Sequence, residues 1–372
     1  MSKAKKEKLV VSMWQFGNYI VPFSYFIKNV FDAEFLMPPR ITKKTLKLGA
    51  LHSPDAICSP FKFQLGNYIE ALDNGANALV QVGGPCRLTY YGEAQEQILK
   101  DLGYDFKFFN LADVNIYEPM SVWNRLKDIN KDLSLKTVTK TLLIAIEMVK
   151  QMDYLEGFIR ENVGFEVIPG TFELHYDEYL KEISDVTSIK ELKKIYNYYV
   201  QFFKRVKINK PKDVLKVGIV GEYYTIMEPF SNHFLEKELA KRNIMIKRTM
   251  NVSSTVFQRQ VPKLLKKDLK YVKYDIGATG VYTINAALEM IKDKYDGIIH
   301  VKSFGCTPEI DSMSILQRIS SDHDIPILYL SFDTQTSETG FETRLEAFHD
   351  MILMQQEPKK EIKIKKKKAS KK

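Results

Sequence analysis

Cysteine is scarce in this chain, with three residues in 372: Cys58, Cys86 and Cys306. An odd number argues against a disulfide framework, and the lack of a C-x-x-C pair argues against a compact zinc knuckle. Histidine numbers six, and none has a sequence relation to Cys86 that would mark a cysteine–histidine nucleophile. Long apolar runs are missing as well. The greasiest segment, "TLLIAIEMVKQM", is interrupted by Glu147 and Lys150 and reads as a helix packed on protein, not a membrane span. The opening "MSKAKKEKLVVSMW" is basic, but its apolar run is short and no small-residue cleavage site follows. The expectation is a reducing, cytoplasmic compartment with no membrane partner.

Negative charge is in the minority, at 46 acidic against 55 basic residues, a formal net charge of +9. That excess invites a nucleic-acid reading, but its location argues against one. Lys359–Lys372 holds nine lysines and one glutamate, which leaves only +1 for the rest. The stretch "KKEIKIKKKKASKK" reads as a disordered tail able to make nonspecific contact with RNA or an acidic partner.

What is present is an ordinary globular balance, 45% hydrophobic and 27% charged, in a chain long enough for two or three domains. "KLVVSMW", "AEFLMPP", "NALVQVGG" and "YDFKFFNL" read as strands. The helical patterns "YIVPFSYFIKNVF", "TKKTLKLGALH", "LGNYIEALDNGA" and "YGEAQEQILKDLG" separate them, with "SPDAICSPFK" as a loop. From Glu118 to Val206 the chain becomes charged and helix-rich, as in "SIKELKKIYNYYVQFFKRV". Beyond Lys210-Pro211-Lys212, "LKVGIVGEYYTI" opens a second strand–helix alternation that continues through "YDGIIHVKSFGCTPE" and "IPILYLSFD". The predicted architecture is α/β, with two Rossmann-like lobes of mostly parallel sheet joined by helices. Its boundaries are an N-terminal lobe at 1–117, a helical linking subdomain at 118–210, a C-terminal lobe at 211–356 and a disordered Lys-rich tail at 357–372.

Ligands of such sheets bind beyond the C-terminal ends of the strands. Cys86 follows "NALVQV", Cys306 follows "DGIIHVKSF", and Cys58 sits in a proline-flanked loop. If the crevices face each other, the thiols converge at the cleft between lobes. Thiolates are soft ligands for iron–sulfur or zinc sites, and Gly83, Gly84 and Gly305 would let backbone N–H groups approach. Taken singly, each cysteine reads equally well as a small buried hydrophobe. Gln15, Gly17 and Asn18 after the first strand, and Glu222 after "VGIVG", are further candidates. A helix-start turn and a salt bridge are the plain alternatives. Asn232 reads as a helix cap or a site residue. "GATG" (Gly277–Gly280) and "SETG" (Ser337–Gly340) are short signals, and Glu338 either caps a helix or approaches the cleft. Tyr90 and Tyr91 either shield the thiols or belong to the core.

The segments "HSPDAICSPFKFQLGNYIEALDNGAN", "VGGPCRLTYYGEAQEQILKDLGYD" and "SFGCTPEIDSMSILQRISSDHDIPILYLSFDTQTSETGFETRLEAF" resemble the cysteine-bearing segments of the 2-hydroxyacyl-CoA dehydratase subunit family. "VGIVGEYYTIMEPFSNHFLEKEL" is similar to its second-lobe strand–turn–helix. The likeness runs from about Val10 to Asp350 and is least distinctive in the linking helices. It implies that Cys58, Cys86 and Cys306 bind an oxygen-sensitive [4Fe–4S] cluster at the interlobe cleft, with one iron open as a Lewis acid. It also implies an ATP-dependent activase that supplies a low-potential electron, and a homodimer or a heterodimer with a related subunit. The reaction would be dehydration of a 2-hydroxyacyl thioester. Arg87 and Glu309 become the candidate catalytic pair, beside the ligands or at a partner contact, with Gly83, Gly84, Gly305, Glu222 and Gln15 lining the cluster. Two other readings stand beside this one: a stand-alone iron–sulfur electron-transfer or reductase component acting on a non-CoA substrate, and a non-enzymatic interaction protein with an RNA-binding basic tail. No CoA adenine pocket is recognisable.

Overall fold

Short runs of Val, Ile, Leu and Phe build two sheets. The first contains β1 (Val10–Ser12), β2 (Glu34–Phe35), β3 (Ala78–Gln81) and β4 (Lys107–Asn110) in the order β2-β1-β3-β4. The second contains β5 (Lys216–Gly221), β6 (Met245–Arg248), β7 (Gly297–Ser303) and β8 (Ile327–Phe332) in the order β6-β5-β7-β8. All pairings between these strands are parallel. The central strands β3 and β7 are buried at every residue, as parallel strands covered on both faces must be. The computed structural model describes residues 8–31, 33–83, 86–111, 118–253, 264 and 270–369, with Arg87, Pro119 and residues 357–369 described by their backbone alone.

The first sheet carries helices α1 (Ile20–Phe31), α2 (Lys43–His52), α3 (Ser59–Asp73) and α4 (Tyr91–Asp101). The linking region is helical throughout its described elements: α5 (Pro119–Ile129), α6 (Leu135–Asn162), α7 (Thr171–Ile183) and α8 (Ile189–Arg205). The second sheet carries α9 (Tyr223–Met227), α10 (Leu235–Lys241), α11 (Gly280–Lys292), α12 (Thr307–His323) and α13 (Glu338–Ala369). The chain is therefore an α/β protein with two parallel sheets joined by helical segments. The helical backbone of α13 continues to Ala369, past residue 357, where the sequence reading begins a disordered tail. Lysine and glutamate are favourable helix residues, so the composition that denies this stretch a core does not deny it a helix. Among the described residues no helix is long and apolar enough to cross a membrane.

One continuous core joins the lobes. It runs from Phe61, Tyr68 and Leu79 through Met148, Met152 and Leu155 of α6 to Val217, Ile299 and Phe332. Each such fully buried side chain contributes roughly 1.5–3 kcal/mol. Aromatic rings cross the same seam: Phe16 lies 5.1 Å from Tyr223, and Phe63 stacks on Tyr224 at 6.1 Å. Behind them is a buried array of alternating charge. Arg160 pairs with Glu156 at 2.5 Å and with Glu236 at 2.9 Å, and Arg248 pairs with Glu236 at 2.9 Å and with Glu156 at 3.3 Å. Asn18 and Tyr176 also donate to Glu156, each at 3.0 Å. The turn after β1, α6, α7 and β6 thus meet at the Glu156 carboxylate, and α10 joins them through Glu236, which both arginines share.

α2 and α3 cross where Gly49 faces Gly66. A Cβ at Gly49 would collide with the Lys62 carbonyl, and one at Gly66 with the Thr45 carbonyl. This close approach seats α3, and with it the residue that opens α3, Cys58.

Candidate functional site

Each cysteine stands at the start of a helix. Cys58 is the N-cap of α3, Cys306 the N-cap of α12, and Cys86 the N-cap of the 3-10 turn Arg87–Tyr90 that leads into α4. The sequence reading puts Cys58 inside a loop. That loop runs to Lys62, but α3 already begins at Ser59, because Pro60 occupies its first turn, where a missing N–H costs nothing; Pro308 does the same in α12. A sulfur at these positions faces the positive end of a helix, which favours thiolate or anionic sulfide.

Topology brings the three starts together. In each sheet the strand order turns back beside the first strand, and Cys86 and Cys306 follow equivalent strands, β3 and β7. Gln15 after β1 and Glu222 after β5 lie on the other sides of the two switch points. A serine clamp then joins the lobes. Ser59 N donates to Ser303 Oγ at 3.0 Å, the two hydroxyls are 2.9 Å apart, and Ser59 Oγ reaches the Phe332 carbonyl at 3.1 Å. A Cβ on Gly305 would sit 3.9 Å from Cys58 Cα and Cβ, so the Cys306 loop lies directly against Cys58. That is ordinary van der Waals spacing. The Cys58 sulfur is 2.6 Å from the Tyr91 hydroxyl, at the start of α4, immediately beyond the turn that Cys86 caps. The charge of Cys86 in turn acts on Cys306.

The surroundings grade from closed to open. Cys58 and Cys306 are half-buried, and Cys86 and Gly83 are exposed. Burial, reinforced by the carboxylates of Glu222 and Glu309, pushes the Cys306 thiol well above the usual thiol range, although the Glu309 backbone N–H donates to its sulfur. Lys302, near the end of β7, is 4% exposed; burial pulls its ammonium below the ordinary lysine value, while Cys306 and Glu309 pull it up. Among the described residues no three His, Cys, Asp or Glu side chains are gathered closely enough to hold a single metal ion. A cluster makes a different demand, because it spreads its thiolates over separate irons. The donor set of three thiols at helix starts fits the second requirement.

The other sequence candidates have defined places. Glu309 is fully buried and holds the first turn of α12: Thr279 and Thr283 donate to Oε1, His300 Nε2 lies 2.7 Å from Oε2, and the Ser312 hydroxyl is 3.2 Å from Oε2. With no exposed surface, this carboxylate acts on Cys306 from inside, through its charge and through the helix start that it holds. Glu222 is buried and caps α9, accepting from Tyr224 N, Thr225 N and the Thr225 hydroxyl. Gln15 is buried, with Nε2 on the Pro38 carbonyl and its backbone N–H on Asn67. Gly17 donates to Glu228, so "QFGN" is an interlobe joint. Asn232 accepts from Leu235 N and donates to the Thr225 carbonyl, closing the turn before α10. Tyr91 is buried against Cys58, whereas Tyr90 is 70% exposed. Ser337 accepts from Gly340 N at the head of α13, and Glu338 makes a surface pair with Lys43. Gly84 and the Arg87 side chain lie outside what the structure describes.

Sequence reading missed Ser59, Ser303 and Lys302. The signal for the first was the triplet C-[S/T]-P, present as Cys58-Ser59-Pro60 and again as Cys306-Thr307-Pro308. The signal for Lys302 was an alternation of His300 and Lys302 within an otherwise apolar strand, which marks one polar face beneath α12. No family model and no curated protein sequence matches the chain.

Proposed function

We propose that the chain is a [4Fe–4S]-carrying subunit of a 2-hydroxyacyl-CoA dehydratase-like enzyme, with Cys58, Cys86 and Cys306 as the ligands. Low-potential electrons would come from an ATP-dependent activase. The observation that carries this reading is that all three cysteines of the chain cap helix starts that the serine clamp and the Cys58–Tyr91 contact draw together from two lobes. When bound, such a cluster supplies one-electron chemistry and a Lewis-acidic iron.

The protein's own part is to hold and shield the sulfurs. The α3 and α12 starts present positive dipole ends to Cys58 and Cys306, and the Tyr91 hydroxyl hydrogen-bonds with the Cys58 sulfur. Lys302 adds buried positive charge on the β7 side. Glu309 and Glu222 are fully engaged in holding helix starts, which leaves the exposed Cys86 side as the approach for substrate and electron donor. The test is anaerobic purification with iron and sulfide analysis and EPR after reduction. About four irons per chain are expected, with iron content falling in Cys86→Ser. Zinc alone, or protein that stays iron-free after reconstitution, rejects the reading. Turnover of 2-hydroxyacyl thioesters with a matching ATPase then separates the dehydratase from a stand-alone reductase.

A further inference from the structure

Lys302 is a buried cation that the fold leaves without a counter-ion. It belongs to β7, a strand buried at every residue, and is itself only 4% exposed. Side chains two apart on a strand share a face, so Lys302 projects on the same side as His300. His300 meets Glu309 of α12 at 2.7 Å, which puts that face beneath the start of α12. The ammonium reaches the loop that carries Cys306: its Nζ donates to the Phe304 carbonyl at 3.3 Å and lies 5.9 Å from the centre of the Phe304 ring.

That one long bond uses a single proton of the three a lysine can donate. Among the described residues Lys302 forms no ion pair. Glu309, whose charge it feels, is already engaged by Thr279, Thr283, His300 and Ser312. Lysine is almost never fully buried unless paired, because a buried charge without a partner is costly. The charge that acts on it most strongly is that of Cys306, ahead of Glu309. An unmatched ammonium therefore lies at the end of β7, where the chain turns toward a thiol that caps a 17-residue helix.

We propose that Lys302 is the fixed counter-cation of the cysteine centre and sets how readily that centre accepts an electron. This role rests on the cluster reading. Every thiolate and every electron added at the centre is negative charge, and a buried cation beside it stabilises the more negative, reduced state. Reduction is a one-electron transfer from an external donor, with no bond or proton exchanged at Lys302. Without the centre, the same ammonium is a buried charge that weakens the fold.

The experiment compares wild type, Lys302→Met and Lys302→Arg, each purified anaerobically and reconstituted with iron and sulfide. Methionine keeps an unbranched apolar stem and removes the charge, and arginine keeps the charge. Iron analysis reports whether a cluster is held, and an EPR-monitored titration with dithionite reports its potential. Equal iron is expected in all three. At a fixed solution potential the ratio of reduced to oxidised cluster should fall at least about tenfold in Lys302→Met, a midpoint about 59 mV more negative for one electron. Lys302→Arg should stay closer to wild type. In the iron-free protein Lys302→Met should raise the unfolding midpoint, because a charge with no counter-ion has been removed. A lowered iron-free midpoint means that the ammonium is already satisfied and overturns the proposal. Iron lost from the methionine variant but kept by the arginine one supports the same dependence on charge, whereas iron lost from both marks a structural role and overturns it. Wild-type protein that holds no cluster overturns the cluster reading and this role together. A wild-type cluster whose potential is unchanged in Lys302→Met overturns this role alone.

Discussion

Glu309 offers the sharpest test of how the site is held. Glu309→Ala removes the acceptor shared by Thr279, Thr283 and His300 in a region with no solvent access. Each orphaned buried donor costs about 1–3 kcal/mol. The two threonine hydroxyls can rotate toward backbone carbonyls and recover part of that loss, but the imidazole cannot. His300 Nδ1 already has no partner, so on either nitrogen the ring proton loses its good acceptor, with only the Ser312 hydroxyl 3.5 Å from Nε2. Adding the void left by the side chain, the expected loss is about 3–5 kcal/mol. Glu309→Gln should cost less, about 1–3 kcal/mol, because an oxygen still serves the threonines. Its amide would meet His300 Nε2 and push the histidine proton to the unpartnered Nδ1. Denaturant unfolding gives the stabilities, and amide hydrogen exchange over Cys306–Ser312 shows whether the α12 start loosens. Alanine variants within about 1 kcal/mol of wild type, with unchanged exchange in that segment, would refute the positioning role.

The remaining predictions rest on other parts of the frame. Gly66→Ala drives a methyl group into the Thr45 carbonyl and should cost at least about 1–3 kcal/mol while displacing Cys58 and lowering reconstituted iron. Gly157→Ala, inside α6 with nothing within 4 Å, should instead stabilise by about 0.4–1 kcal/mol; both changes are read from unfolding midpoints. Arg248→Met leaves Glu156 and Glu236 to share Arg160 and should cost about 3–5 kcal/mol in the same assay. The pH dependence has a definite sign. Burial raises the Glu156 pKa, but Arg160, Arg248 and Asn18 outweigh it and hold the folded-state value below the ordinary 4.5. Its stabilisation is therefore fully present above the unfolded-state pKa and is lost as pH falls through the folded-state value. In Arg248→Met burial gains weight, so the acid loss should begin at higher pH, and an unfolding series from neutral to acid pH that shows parallel curves would contradict this.

Much of the architecture was legible locally. Val10-Val11, Ala78–Gln81 and Ile298-Ile299 announce strands through branched and apolar side chains, and the charged segments between Glu118 and Val206 announce helices. The scarcity of cysteine drew attention to three sulfurs, each of which stands at the start of a helical turn. What local pattern cannot carry is depth and distance. Glu309 reads as a catalytic acid beside the ligands or at a partner contact, and the sequence gives no sign that β7 and α11 enclose it on both sides. Gln15 and Glu222 read equally as cluster-lining groups or as a helix-start turn and a salt bridge, and the structure shows Gln15 on a carbonyl and a side-chain amide and Glu222 capping α9.

The sequence by itself determined that the chain alternates strands with helices, that a helical stretch divides the two alternations, and that three thiols stand in turns. These follow from side-chain periodicity and from proline and glycine, whose effects reach only a few residues. Tertiary structure alone decided that Ser59 meets Ser303 across 244 positions, that Gly49 and Gly66 let two helices close on each other, and that Lys28, Lys136 and Asp185 line one cavity. Those contacts depend on strand order and helix crossing, which are settled by the packing of the whole core rather than by any one segment.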